Sequence, residues 1–180
     1  MRQKIHVWHL EITSPPTHDF SISRSYRLEQ LTLLQPALAR YLYVAVGAPW
    51  VWYMRLGWRY EDWQRRLENP AVQIWIAYAD GAPIGYFELE SQASGSTEIC
   101  YFGLIPEAIG QGHGKLLLED AIRAAWQLGG KRVWLHTCTL DHPNALENYQ
   151  RRGFSVFKEE DVVDNIPDDP IQPWSGAGKT

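Results

Sequence analysis

Cysteine is scarce in this chain of 180 residues, which contains only Cys100 and Cys138. Both lie in strand-like runs without a CxxC spacing or a histidine at ligand spacing, so neither a disulfide framework nor a metal site is expected. Long apolar runs are also lacking, because no stretch approaches the length of a membrane-spanning helix and the N-terminus has no signal-peptide pattern. These features predict a cytoplasmic protein without a membrane partner.

Clustered basic residues are lacking as well. The chain has 17 Lys and Arg against 21 Asp and Glu, a formal net charge of -4. Because a surface that neutralises phosphates needs clustered Lys and Arg, no nucleic-acid partner is expected. The length and the 45% hydrophobic content fit one domain. We place it at residues 1–160, before an acidic, proline-rich tail at 161–180, and a homodimer is left open as a partner.

Apolar periodicity predicts an α+β fold. A first strand over 5–12 leads into a polar loop that ends near residue 25. Helices are expected over 31–46, interrupted or restarted at Pro36, and over 60–69. Three strands joined by short turns then suggest antiparallel neighbours, and the strand after the long helix is expected to be parallel to the one before it. These later elements, in order, are expected at 72–79, 83–91, 97–104, 115–130 (helix), 132–138, 144–154 (helix) and 154–159.

Three glycines are crowded into "AIGQGHGKLL", residues 108–117, between a strand and a helix. Free N–H groups at a helix N-terminus attract anions, and glycine lets a phosphate approach the backbone closely. A tight turn that binds nothing would use the same residues. The stretch therefore indicates either an anion-binding site or a tight turn that only joins the strand to the helix.

Two common phosphate motifs are excluded by spacing. A Walker A loop needs glycine where Ile109 stands and Ser or Thr where Leu116 follows Lys115, and the C-terminal "SGAGKT" has Pro173 at its first glycine position. A dinucleotide fingerprint would need Gly or Ala in place of Lys115 or Leu117. The loop fits neither motif.

With its flanks, "YFGLIPEAIGQGHGKLLLEDAI" resembles the acetyl-CoA loop of the GNAT superfamily of acyl-CoA-dependent N-acyltransferases. The matching positions are Pro106, Glu107, Gly110, Gln111, Gly112 and Gly114. Ile109 departs from the pattern, since the family usually has Arg or Gln there. The later stretch "NALENYQRRGF" resembles a second signature of the family, with matches at Ala145, Tyr149, Gly153 and Phe154. His142 replaces the usual Asn, although Asn144 is close by, and the resemblance spans roughly residues 70 to 158.

The resemblance implies a single domain with a mixed, strongly twisted central sheet and flanking helices. It implies acetyl-CoA as cosubstrate, held where the strands at 97–104 and 132–138 splay apart. The backbone of the first strand would pair with the pantetheine, and the glycine loop would bind the pyrophosphate. The residues expected to hold the cofactor are Phe102, Gly103, Leu104, Ile109, Gly110, Gln111, Gly112, His113, Gly114, Lys115, His142 and Asn144.

Acyl transfer to an amine needs a base for the nucleophile and an acid for the departing thiolate. The resemblance assigns Tyr149 as the acid, although the ring could equally serve packing. It assigns Glu98 as the base, because the residue lies eleven positions before Ile109, as in the histone-type enzymes. Further candidates for the base are Glu88, Glu90, His136 and His142.

Aromatic residues are concentrated between Tyr41 and Trp63. They are too many and too irregularly spaced for one buried helix face, so a partly open pocket is expected in addition to packing. Such a pocket suits an acceptor with an apolar or cationic body. Its expected contacts are Trp52, Trp58 and Glu88.

The expected activity is direct transfer of an acetyl group from acetyl-CoA to a primary amine of a small molecule or peptide, without a metal. One alternative is a non-catalytic acyl-CoA-binding sensor, which the departure at Ile109 leaves open. Another is the same chemistry on a protein N-terminus or lysine.

Overall fold

A computed structural model describes residues 1–15, 24–174 and 176–177. Within these residues the chain forms seven strands and four α-helices, with short 3-10 turns at Ala48–Trp50 and Pro106–Ala108. The elements are β1 (Arg2–Ile12), β2 (Arg27–Gln30), α1 (Pro36–Gly47), α2 (Tyr60–Glu68), β3 (Val72–Ala79), β4 (Ala82–Ser91), β5 (Ser96–Leu104), α3 (His113–Gln127), β6 (Arg132–Cys138), α4 (Ala145–Gln150) and β7 (Ser155–Asn165).

The strands form one mixed sheet in the order β2-β3-β4-β5-β6-β1-β7. Neighbouring strands are antiparallel except for β5 and β6, which are parallel as predicted. The parallel pairing covers only Ser96 to Glu98 on β5 and Arg132 to Trp134 on β6. The predicted α+β class with a mixed sheet and flanking helices is confirmed, and the remainder of β5 is unpaired on its β6 side.

Each face of the sheet packs against helices. Because strand side chains alternate between faces, neighbours on β4 enter different cores. Phe87 joins Leu117 and Ile122 of α3 in one buried cluster, whereas Tyr86 joins Leu42 of α1 and its neighbours in the other. The two cores hold β4 and β5 between helix layers, which fixes the strand that carries the glycine loop.

The prediction for 31–46 was wrong at its start, because α1 begins at Pro36 and β2 precedes it. The N–H of Leu31 donates to the carbonyl of Ile74 on β3, so this residue continues the sheet pairing of β2. Leu33 and Leu34 are exposed. Proline favours the first turn of a helix and disfavours helical geometry at the preceding residue, which accounts for the boundary.

The last strand is longer than predicted. β7 runs to Asn165 and pairs with β1 along most of its length, so residues 161–165 of the predicted tail belong to the sheet. Part of the loop predicted after the first strand, residues 16–23, lies outside the described residues, as do 175 and 178–180 of the tail. In the described part of the chain, no helix is long and apolar enough to cross a membrane.

Candidate active site

The glycine loop lies between the end of β5 and the start of α3. Gly110 and Gly112 have φ angles of 84° and 82°, in the left-handed region that favours glycine. A Cβ atom at either position would meet no atom within 4 Å, so the loop backbone faces open space. Gly112 caps α3 without a side-chain hydrogen bond, and the first N–H groups of the helix have no intrahelical partner. The loop is therefore shaped to accept an anion.

A cavity of about 410 Å³ opens beside this loop, and we call it the loop cavity. It is lined by ten of the twelve residues predicted to hold the cofactor, namely Phe102, Gly103, Leu104, Ile109, Gly110, Gly112, Gly114, Lys115, His142 and Asn144. The side chains of Gln111 and His113 do not line it. Gln111 donates to the carbonyl of Glu107, and the buried His113 ring lies 3.3 Å from the Ser25 hydroxyl.

A second cavity of about 250 Å³, the cleft cavity, lies where β5 and β6 have separated. It is walled by β1, β5, β6, β7 and the segment 50–54. The two cavities share Trp50, Trp52, Phe102, Asp141 and Tyr149. Trp52, a predicted acceptor contact, therefore stands between them.

A bulge on β5 accompanies this opening. Leu89 of β4 pairs with Ile99, but Glu88 pairs with Tyr101, which leaves Cys100 without a partner on β4. Bulges bend a strand and re-aim its side chains, and they are frequent beside active sites. The bulge lies immediately after the last parallel pair with β6, so β5 bends where the cleft begins.

Tyr149, the predicted acid, is buried on α4 at the junction of the two cavities. Its ring contacts Phe102 and Phe154 edge to face. Burial, and secondarily the Asp141 carboxylate, raises the pKa of Tyr149 above its ordinary value of 10. The hydroxyl therefore keeps its proton at neutral pH and is available as a hydrogen-bond donor at the junction.

Glu98, the predicted base, lies beside the cleft cavity but is absent from the residues that line either cavity. Burial, and then the charge of Glu90 across the strand pair, raises the pKa of Glu98 to about 6. Its Oε1 is 3.8 Å from Nδ1 of His136, which does line the cleft cavity. The carboxylate therefore has a cavity-lining imidazole as a neighbour, at a separation longer than a hydrogen bond.

Much of the aromatic run surrounds an arginine of the chain itself. The guanidinium carbon of Arg55 lies 4.4 Å from the Tyr101 ring centroid and 4.5 Å from that of Trp58. Its terminal nitrogens each donate to Glu88 at 2.8 Å. Arg66 donates to Glu88 as well. Trp58 and Glu88, both predicted acceptor contacts, lie in this cluster, and neither lines either cavity.

Glu88 is an ion-pair partner in this cluster. Burial by itself would raise the pKa of Glu88, but the hydrogen bonds and charges of Arg55 and Arg66 outweigh it and lower the pKa below 4.5. The carboxylate is thus held ionised inside the protein, where one partner alone would leave it poorly compensated.

Several lining residues were not among the predicted site residues, although Trp50 belongs to the aromatic run. Trp50 packs edge to face on His142 between the two cavities. Asp141 accepts hydrogen bonds from the Thr137 hydroxyl and the Cys138 N–H, which fixes it at the end of β6. Further residues lining the loop cavity are Ala145, Glu147, Asn148, Arg151 and Arg152. Proximity to the second signature was the only signal that could have found most of them.

Comparison with known proteins locates this arrangement in a family. The model of the Acetyltransferase (GNAT) family matches residues 33–154. A GCN5-related N-acetyltransferase from Sphaerobacter thermophilus is 19% identical with a TM-score of 0.60, over 88% of this chain and 50% of that protein. A GCN5-related N-acetyltransferase from Kribbella flavida is 16% identical with a TM-score of 0.62, over 91% and 59%.

An aminoglycoside acetyltransferase from an uncultured soil metagenomic sample, in complex with trehalose, is 16% identical with a TM-score of 0.60, over 72% of this chain and 88% of that protein. At these identities the structures show a shared fold. The chain spans only about half to three fifths of the two GCN5-related proteins. No curated protein matches the chain in sequence.

Proposed function

The chain belongs to the Acetyltransferase (GNAT) family, and from this premise we propose that it transfers an acetyl group from acetyl-CoA to a primary amine by direct attack. The observation that carries the proposal is the junction of two cavities at Tyr149, one against the glycine loop and one in the cleft. Donor and acceptor would enter from the two sides and meet beside this hydroxyl. A cytoplasmic location and a homodimer stay predictions.

The loop cavity suits acetyl-CoA in two respects. The open backbone at Gly110 and Gly112, with Lys115 and Arg152 also lining the cavity, offers N–H groups and positive charge to a pyrophosphate. The backbone of residues 102–104 pairs with β4 on one side and lies beyond the last pairing with β6 on the other. This free edge can pair with the amides of a pantetheine as an added strand would.

Bound acetyl-CoA would supply an acyl group activated as a thioester. Tyr149 would donate its proton to the departing sulfur. Glu98, which lies beside the cleft cavity, would accept the proton from the attacking nitrogen. The rings of Phe102, Tyr149 and Phe154, which pack edge to face, would exclude water from the junction of the two cavities.

The lining of the cleft cavity favours a cationic acceptor. Its charged side chains within the described residues are the carboxylates of Asp141 and Asp164, and neither Lys nor Arg lines it. The Tyr53 hydroxyl donates to Asp164 and lowers the pKa of that carboxyl. With the rings of Trp50 and Trp52 in the same wall and a volume of about 250 Å³, the cavity suits a small amine with an apolar or second cationic part.

Thiol release from acetyl-CoA on a panel of primary amines tests the proposal. We expect release that depends on the amine and is strongest for small cationic or aromatic amines. Acetyl-CoA binding without turnover on any amine, including a lysine peptide, would contradict the proposal and support the sensor alternative.

Tyr149→Phe is expected to lower kcat roughly ten- to a hundredfold, because the thiolate would leave without a positioned proton donor. The loss should persist as the pH rises, since the state of the amine does not affect the leaving group. Steady-state kinetics between pH 6 and 9 measure this, with Tyr41→Phe, an exposed tyrosine of α1, as the matched control. A kcat equal to that of the control would remove Tyr149 from the proton transfer.

Asp164→Asn is expected to raise the KM of cationic acceptors about two- to fivefold, because one carboxylate of the cleft wall is lost while its shape is kept. The Kd of acetyl-CoA should not change. Asp161→Asn on the same strand is the control, since Asp161 pairs with Lys4 outside both cavities. Equal effects of the two substitutions would show that only general surface charge matters.

A further inference from the structure

An imidazole lies between the cleft cavity and the half-buried carboxylate of Glu98 beside it. His136 of β6 lines the cavity, whereas Glu98 of β5 lines neither cavity. Nδ1 of the ring lies 3.8 Å from Oε1 of Glu98, across the end of the parallel strand pair. A group in the cleft therefore meets the histidine before the glutamate.

We propose that His136 is the base that takes the proton of the attacking amine, and that Glu98 is a positioning residue that orients the ring and stabilises its protonated form. The inference rests on the proposed function, since a base has this role only if an amine attacks in the cleft. It replaces direct proton transfer to Glu98 with transfer to the group that faces the acceptor.

The two ring nitrogens have different surroundings. Nδ1 lies 3.8 Å from the Glu98 carboxylate, which is too far for a hydrogen bond but close enough for its charge to favour the tautomer with hydrogen on Nδ1. In that tautomer the lone pair of Nε2 would be left to accept a proton. Partial removal from water, and then His9, lowers the pKa of His136 below 6.5, so the ring is neutral at neutral pH. The pKa of Glu98, about 6, leaves that carboxylate mostly ionised there. A neutral ring beside an anion is the state that a base requires before the reaction.

Other charged groups also face this ring. His9 of β1 lies with its ring centroid 6.0 Å away and is held by Glu160 of β7 through a 2.8 Å hydrogen bond. Asp141, after β6, acts in the opposite sense to His9 and favours the protonated ring. Asp164 is the second carboxylate of the cavity wall. Raised pKa values keep the protons on the remaining thiol and phenol groups of the cavity, Cys100, Cys138, Tyr53, Tyr101 and Tyr149.

The proposed step balances its atoms and protons. A nitrogen–carbon bond forms as the carbon–sulfur bond breaks, His136 takes one proton from the nitrogen, and Tyr149 gives one to the sulfur. Neutral amine and thioester thus become amide and thiol. The His136 side chain is 46% exposed, so it can return its proton to solvent, from which Tyr149 is reprotonated.

His136→Gln is expected to lower kcat about a hundredfold on an amine that the wild-type protein acetylates, because a positioned base contributes at least this much. The Kd of acetyl-CoA should stay unchanged. His6→Gln is the matched control, since His6 of β1 pairs with Glu159 and Asp161 and lines neither cavity. A His136→Gln variant that binds acetyl-CoA normally and keeps its kcat within threefold of the control would overturn the proposal.

The positioning role is tested by NMR titration of the His136 ring nitrogens in the wild-type protein and in Glu98→Gln. Loss of the neighbouring negative charge should lower the pKa of His136 and move the rising limb of kcat/KM to lower pH. An active Glu98→Gln enzyme in which neither quantity moves would overturn the coupling. If the wild-type protein acetylates no amine, the proposed function fails and the base role fails with it.

Discussion

Replacing Gly112 with leucine is expected to weaken CoA binding at least about a hundredfold, roughly 2.7 kcal/mol, whereas the same change at Gly129 leaves it unaltered. The two glycines flank opposite ends of α3, have φ angles of 82° and 85°, and would each place a Cβ in open space. Both substitutions therefore carry a similar backbone strain, about 1–2 kcal/mol. They differ in location, because only Gly112 lines the loop cavity.

Isothermal titration with CoA and thermal unfolding of both variants separate these effects. Adding Gly114→Leu to Gly112→Leu should complete the loss, because Gly114 also lines the loop cavity and its Cβ would make only an ordinary 3.6 Å contact with Leu104. Similar unfolding temperatures with different CoA affinities are the expected result. Equal CoA affinities for the Gly112 and Gly129 variants would show that the glycine loop is only a turn.

Sequence periodicity predicted the interior of the sheet better than its edges. β3, β4, β5 and α3 bury apolar residues at regular spacing, so their patterns are strong. β2 and β7 are edge strands with one neighbour each, and most of their side chains are exposed or only half-buried. An edge strand in water needs no apolar alternation, which is why four residues of β2 gave no signal and the acidic end of β7 looked like a tail.

In the candidate site, the features that could be predicted are local ones. A glycine loop and its helix start are adjacent in sequence, so their geometry follows from a short motif. The shape of the cleft depends instead on a bulge at Cys100 and on where β5 stops pairing with β6, which are tertiary properties. The cluster around Arg55 joins it to Glu88, 33 residues away, and no pattern indicates that an arginine would fill the space between Trp58 and Tyr101.

This cluster leads to the second large effect. Arg55→Ala is expected to lower the free energy of unfolding by about 3–5 kcal/mol, because it leaves Glu88, 1% exposed, with Arg66 as its remaining ion-pair partner among the described residues. It also removes the cation packed between two aromatic rings. Chemical denaturation at pH 7 measures the loss, and Arg65→Ala is the matched control, since that arginine is 75% exposed and its ion pair in the described part of the chain is with Asp62.

The same cluster links stability to pH and to the acceptor. Because pairing lowers the pKa of Glu88 below 4.5, its stabilising contribution is present at neutral pH and is lost as the pH falls through the folded-state pKa. The difference in the free energy of unfolding between wild type and Arg55→Ala should therefore shrink in acid. A difference below about 1 kcal/mol at pH 7 would show that Arg55 does not stabilise the buried Glu88 carboxylate.

Arg55→Lys loses the paired hydrogen bonds to Glu88 but keeps the positive charge, and because the charge is kept this variant should fold. Residues 50–54 line the cleft cavity and directly precede Arg55 in the chain. Arg55→Lys should therefore raise the acceptor KM, while the Kd of acetyl-CoA stays unchanged.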